Sequence, residues 1–177
     1  MRRQVALLLA LVLSAWASAA WAEGPDPDGV SIGISEGTDV ITLGAGAFDI
    51  NDDFTSGEFR LEYRFVQRPL WLTPIIGILA NTDGGVFGYG GFGLDLYVGE
   101  HFVLTPQATM GGYRQGDSKD LGGVFQFRTG VEIAYRFADR TRIGLAFHHI
   151  SNAGLHDKNP GTESLVLTLS LPLLPNR

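Results

Sequence analysis

The sequence predicts an all-β protein, an eight-stranded antiparallel transmembrane β-barrel. Apolar and polar residues alternate with a period of two along most of the chain, as in Glu58 to Phe65, and no segment shows convincing helical periodicity. The polar faces of these segments carry charges of both signs, and the opposite faces are almost wholly apolar or aromatic. Such segments are expected at 38–50, 56–67, 70–81, 85–98, 101–113, 121–137, 141–152 and 163–173.

Two architectures suit long alternating strands. A soluble lipocalin-like barrel would place the apolar face inside, whereas an outer-membrane barrel would place it outside. Charges of both signs on one face can pair with one another inside a narrow eight-stranded barrel, and the predicted strands are long enough to cross a bilayer with tilt. The clearest such row is Glu58, Arg60, Glu62 and Arg64. The membrane barrel is therefore favoured.

The beginning of the chain predicts export. Arg2 and Arg3 precede an apolar run, and small residues lead to Ala20-Trp21-Ala22, the order of a secretory signal peptide. We expect a signal peptide at 1–22 and a barrel domain at 23–177, placed in the outer membrane of a Gram-negative-type cell.

Composition excludes several kinds of function. Without Arg2 and Arg3, 11 basic residues face 19 acidic ones, a formal charge of 11 − 19 = −8, which argues against nucleic acid as a partner. The chain has no cysteine, so thiolate catalysis and disulfides are excluded. His156 and Asp157 are two candidate metal ligands in one loop, which is weak evidence for a site. We therefore expect no metal and no cofactor.

Loop lengths predict the orientation of the barrel. The connections near 67–69, 99–100 and 138–140 are expected to be tight turns, and those at 51–55, 114–120 and 153–162 are mostly longer and more polar. Outer-membrane barrels place short turns in the periplasm and long loops outside. The last long loop is thus expected at the outer surface.

Three polar side chains interrupt the apolar faces of the last two predicted strands. His149 and Ser151 continue the row of Ile143, Leu145 and Phe147, and Glu163 begins the row of Leu165 on the neighbouring strand. Ser is a nucleophile only when a base takes its proton, and a carboxylate can orient a histidine that acts as this base. At the level of the lipid head groups, such a group could reach an ester in a membrane lipid.

The segment from His149 to Gly154, "HISNAG", with Glu163-Ser164 after a loop, resembles the active-site segment of PagL-type lipid A 3-O-deacylases. These are eight-stranded outer-membrane esterases that remove an acyl chain from lipopolysaccharide. The resemblance implies Ser151 as nucleophile, His149 as base and Glu163 as the orienting carboxylate. It further implies that the Asn152 side chain and the Gly154 backbone N–H stabilise the oxyanion, and that lipid A in the outer-membrane lipid is the substrate.

A plainer interpretation stays open. Polar residues at the rim of a barrel strand are ordinary, so the protein could instead be a non-enzymatic barrel with a structural or adhesive role. His148 has the opposite parity to His149 and is expected to point into the barrel as a structural residue. The sequence predicts neither the length of the acyl chain nor the oligomeric state.

Overall fold

The computed structural model describes residues 29–32, 38–52, 55–66 and 71–173. The signal peptide expected at 1–22 and the domain boundary expected at residue 23 lie outside these ranges. The described residues form no helix that is long and apolar enough to cross a membrane.

Within these ranges the chain forms ten antiparallel strands. Their bounds are β1 Val30–Ile32, β2 Val40–Phe48, β3 Ser56–Arg64, β4 Thr73–Asn81, β5 Val86–Gly93, β6 Leu96–Val98, β7 Phe102–Arg114, β8 Phe125–Arg136, β9 Arg142–Ser151 and β10 Thr162–Pro172.

The sheet is a closed eight-stranded barrel. From β2 to β5 and from β7 to β10, strands that are consecutive in the chain pair with one another, and β10 also pairs with β2, which closes the wall. β5 and β6 both pair with β7, so together they form the single strand predicted at 85–98, interrupted at Leu94 and Asp95. The predicted fold is confirmed. The short β1, which pairs with β6, was not predicted: it lies before residue 38, where the first strand was expected to begin.

The two faces of the wall have the polarity that a membrane barrel requires. Charged side chains are buried inside, and large apolar side chains are exposed on the outside. Exposed examples are Leu43, Phe59, Leu61, Ile76, Ile78, Phe92, Met110, Val131, Ile133, Leu145 and Leu167. A water-soluble lipocalin-like barrel would have the reverse arrangement, so the membrane barrel is the correct alternative.

The interior charges pair with one another. Glu62 accepts hydrogen bonds from Arg64 (2.9 Å), Arg128 (3.1 Å) and the Tyr89 hydroxyl (2.8 Å). Arg64 also donates to Glu132 at 2.7 Å, which joins β3 to β8 across the lumen. Buried ions need such partners because leaving one uncompensated costs about 3–5 kcal/mol. The interior is therefore filled by a connected ionic network.

Pro74 and Pro106 lie in the interior of strands, and a third proline, Pro172, is the last residue of β10. The Pro74 carbonyl accepts from Phe65 N–H at the end of the β3–β4 ladder, and the Pro106 carbonyl accepts from Leu94 N–H where β5 gives way to β6. In an antiparallel strand the N–H and C=O of one residue point to the same neighbour. Each missing N–H therefore falls where a ladder ends or is interrupted, which is why the closed barrel tolerates both.

The connections at the two ends differ in length. The end that carries the start of β10 has the connections 49–55, 82–85, 115–124 and 152–161. At the other end, 99–101 and 137–141 are tight turns as expected. The connection 65–72 is longer than the predicted turn, because β3 ends at Arg64 and Trp71, at φ 57°, precedes the start of β4.

Candidate active site

The site is built by the register of the last two strands. β10 pairs with β9 so that Glu163 lies directly opposite His149, with Thr162 opposite Ile150. Opposite residues in an antiparallel pair share a face of the sheet, so the two side chains meet on the outer wall. The faces expected from sequence parity are confirmed by this register.

The imidazole of His149 is held by Glu163. Nδ1 of the ring lies 2.8 Å from Glu163 Oε1. The carboxylate accepts this hydrogen bond, so Nδ1 is the protonated nitrogen and Nε2 is left as the basic one. The His149 side chain is 44% exposed and that of Glu163 24%, so the pair is accessible from outside the barrel.

Ser151 is the last residue of β9, two positions beyond His149 on the same outer face, and is half-buried. On its other side it lies opposite Phe127 of β8. Within the described part of the chain, its hydroxyl makes no hydrogen bond to the imidazole. Catalytic hydrogen bonds of this kind are often long before substrate binds and shorten in the complex. The strand places Ser151 and His149 as neighbours on one face.

Asn152 points away from this outer face. Its side chain is fully buried, and its Nδ2 donates to the carbonyls of Leu121 (3.0 Å) and Lys158 (2.6 Å). Its Oδ1 accepts from the Gly154 N–H at 2.9 Å. Both groups expected to stabilise an oxyanion are therefore engaged within the loops, and the structure does not bring the Asn152 amide to Ser151.

Two residues of the 152–161 loop also shape the site and were not found from the sequence. The Asn159 Oδ1 accepts from the Asn152 N–H at 3.0 Å and so holds the start of the loop. Gly161 is the last residue before β10, has φ +70° and lies against the His149 ring. The Pro160-Gly161 dipeptide is a turn signal that could have identified the second of these.

A buried carboxylate secures the strand that carries Glu163. Asp49 Oδ1 accepts from Thr162 Oγ1 (2.9 Å) and from Lys119 Nζ (2.8 Å), and Lys119 also donates to Asp52 (2.9 Å). Partial burial lowers the pKa of Lys119, but the hydrogen bonds to Asp49 and Asp52 outweigh it and hold the pKa above its ordinary value. This Asp49 cluster, Asp49 with Asp52, Lys119 and Thr162, joins two loops to the start of β10.

His148 lies inside the barrel, as predicted. Its Nδ1 is 3.2 Å from Arg60 Nη1, and its Nε2 is 2.8 Å from Arg128 Nη2. A fully buried ring between two guanidinium groups has no access to a lipid, so His148 is a structural residue. Across the described residues, no group of three or more His, Cys, Asp or Glu side chains is arranged to hold a metal ion.

Fold and site together define the class of this protein. It is an outer-membrane β-barrel that carries a His–Glu pair and an adjacent serine on the outer surface of its wall, at the end with the longer loops. Residues 38–172 match the family described as "Lipid A 3-O-deacylase (PagL)". The chain belongs to this family.

Comparison with individual proteins agrees with the family. The "Lipid A deacylase PagL" of Bordetella bronchiseptica (strain ATCC BAA-588 / NCTC 13252 / RB50) is 32% identical over 74 residues, which are 41% of this chain and 42% of that protein. The match thus spans less than half the length of this curated relative.

Solved structures share the fold. The crystal structure of the outer membrane enzyme PagL superimposes with a TM-score of 0.62 at 18% identity, over 76% of this chain and 99% of that one. Neisserial surface protein A has a TM-score of 0.56 at 13% identity, over 80% of this chain and 100% of its own. A designed transmembrane β-barrel gives 0.56 at 14% identity, over 81% and 100%.

Proposed function

We propose that this protein is a serine esterase that hydrolyses the 3-linked acyl ester of lipid A in lipopolysaccharide at the outer leaflet. The observation that carries the proposal is the 2.8 Å contact between His149 Nδ1 and Glu163 on the outer wall, beside Ser151. Family membership supports the choice of lipid A as substrate.

The reaction begins with proton transfer. The Ser151 hydroxyl gives its proton to His149 Nε2 while its oxygen attacks the carbonyl carbon of the ester. Glu163 keeps the ring oriented and stabilises the imidazolium. The bond between the carbonyl carbon and the sugar oxygen then breaks, the imidazolium protonates that oxygen, and the acyl group stays on Ser151. Water, activated by the same histidine, releases the fatty acid and restores the serine.

The tetrahedral intermediate carries a negative oxygen that needs donors, and such donors are often the largest catalytic contribution. In our proposal these are the Asn152 side chain and the Gly154 N–H. The Gly154 N–H now donates to Asn152, and the Asn152 amide to two loop carbonyls. In this proposal the 152–161 loop rearranges when substrate binds, so that both donors give up their present partners and turn towards Ser151.

Mass spectrometry of lipid A tests the function directly. We expect cells that express the wild type to lose one acyl chain from lipid A, whereas Ser151→Ala and His149→Ala leave lipid A intact because nucleophile or base is gone. Each variant must be present as a folded barrel in the outer-membrane fraction.

Wild-type-like deacylation by a folded Ser151→Ala protein would refute the mechanism. Lipid A that stays unchanged with the wild-type protein, in cells and in mixed micelles, would favour the non-enzymatic barrel instead.

A further inference from the structure

Gly161 lies directly against the base. A Cβ at this position would be 2.9 Å from His149 Cε1 and 3.5 Å from Nε2. Side-chain carbons do not approach other atoms as closely as 2.9 Å, so any side chain at 161 would force the imidazole to move. The ring is the far end of a side chain and can move, but it would do so away from its present position.

The side of the ring that faces Gly161 is the reactive one. Glu163 occupies Nδ1, which leaves the Cε1–Nε2 edge turned towards Gly161. Gly161 directly precedes Thr162, and Ser151 directly follows Ile150, the partner of Thr162 in the last β9–β10 pair. A side chain at 161 would therefore press on the Cε1–Nε2 edge of the ring, which carries the basic nitrogen.

Resting on the esterase function proposed above, we infer that Gly161 is a positioning residue: by carrying no side chain it lets the His149 ring keep its place against Glu163, on the same face as Ser151. The left-handed backbone at Gly161, with φ +70°, is a separate reason for glycine. The two reasons have different consequences. Backbone strain lowers stability, whereas displacement of the ring lowers reactivity per folded molecule.

Gly84 provides a matched control for the backbone. It has φ +79°, and a Cβ there would have only the Gly116 Cα within 4 Å, at 3.9 Å. Gly84→Ala and Gly161→Ala therefore impose a similar left-handed strain, but only the second crowds the imidazole. Full-length proteins would be compared in detergent micelles, with the folded fraction measured by heat-modifiable gel mobility.

Labelling of Ser151 by a fluorophosphonate measures the activated serine without any lipid substrate. We expect Gly84→Ala to label at the wild-type rate per folded molecule. Gly161→Ala should label about 10- to 100-fold more slowly, the size of effect that small misplacements of catalytic groups produce. For lipid A hydrolysis, the same loss should fall on kcat with KM unchanged. Equal labelling of Gly161→Ala and wild type would overturn the inference.

A double-mutant cycle tests the contact itself. If Gly161 acts through the imidazole, Gly161→Ala should destabilise the barrel less in a His149→Ala background than in the wild type, because the ring is no longer there to be displaced. Equal destabilisation in both backgrounds would count against the contact. Should Gly161→Ala not fold, Gly161→Asn replaces it, because Asn tolerates this backbone and still carries a Cβ.

The two readouts separate this inference from the proposed function. A wild type whose Ser151 reacts with fluorophosphonate but which leaves lipid A intact would contradict the proposed substrate, while the labelling rates still decide the role of Gly161. A wild type whose Ser151 does not react at all would overturn both.

Discussion

His148 and His149 are consecutive, yet they face opposite sides of the barrel wall. Strand geometry alternates side chains, so His148 lies between Arg60 and Arg128 in the interior while His149 pairs with Glu163 outside. A shift of one residue in the β9 register would exchange the two rings and destroy both environments. Whether an imidazole of β9 lies in the ionic interior or beside Glu163 on the outer wall therefore depends only on which face of the strand its residue occupies.

Removal of the orienting carboxylate should cost less than removal of the nucleophile. We expect Glu163→Ala to lower kcat by about 10⁴-fold, compared with about 10⁶-fold for Ser151→Ala, because the imidazole persists but loses its fixed orientation. Rates of acyl release from purified lipopolysaccharide would measure both. Leu165→Ala, on the same outer face of β10, is the control and should stay near the wild-type rate. Equal losses for Glu163 and Ser151 would mean that the carboxylate does more than orient the ring.

For single residues, the sequence could predict the face of a side chain wherever the chain follows the two-residue repeat of a β-strand. The positions of His149, Ser151 and Glu163 follow from counting along two strands, and the register bears them out. Residues of the 152–161 loop obey no such period. The burial of Asn152 depends on carbonyls of Leu121 and Lys158, which only the folded loops bring near. The contact of Gly161 with the ring is hidden for the same reason.

Among elements, the loops at the site end are bound together by the Asp49 cluster. Asp49 directly follows β2 and has φ 58°, Lys119 comes from the loop between β7 and β8, and Thr162 begins β10. The buried carboxylate of Asp49 thereby links the loop after β2 to β10, the strand that carries Glu163. The position of the orienting carboxylate depends on a loop that is distant in sequence.

Lys119→Met should lower the free energy of unfolding by about 1–3 kcal/mol, because Asp49 stays buried without its cation. The exposed Lys158 supplies the control, since Lys158→Met should change stability by less than about 0.5 kcal/mol. Urea unfolding in micelles, followed by tryptophan fluorescence, measures both. The pKa of Lys119 is raised by folding, so its contribution is full below the unfolded-state value of about 10.4 and is lost as the pH rises through the folded-state pKa. An unchanged unfolding curve for Lys119→Met would show that the cluster does not stabilise the loops.

Periodicity predicted the eight barrel strands well, since each has one lipid-facing and one interior face. It did not predict the short β1 or the break between β5 and β6. β1 has only three residues and pairs with β6. β6 lies beyond the point where β5 ends opposite the start of β4, so β1 takes the side of β6 that corresponds to the side of β5 paired with β4. The break between β5 and β6 lets Asp95 accept from Arg142 at 2.9 Å. Neither feature leaves a periodic signature of its own.

For the whole molecule, the inverted polarity makes the ionic interior the core. Glu62→Met should destabilise the barrel by about 3–5 kcal/mol, because Arg64 and Arg128 lose a buried counter-ion. Leu61→Met, one residue away on the lipid face, should cost less than about 1.5 kcal/mol as a volume-conserving swap. Urea midpoints in micelles compare the two, and a smaller loss for Glu62→Met than for Leu61→Met would contradict an ionic core.

The His149–Glu163 pair lies on the outside of the wall, and this position determines which concentration of substrate the protein meets. Under the proposed function, a lipid substrate reaches this pair by lateral diffusion within the leaflet. Its effective concentration is then its mole fraction among the surrounding lipids, independent of the volume of the cell or the test tube. An enzyme built this way samples its neighbours in two dimensions, so its rate follows the composition of the membrane around it.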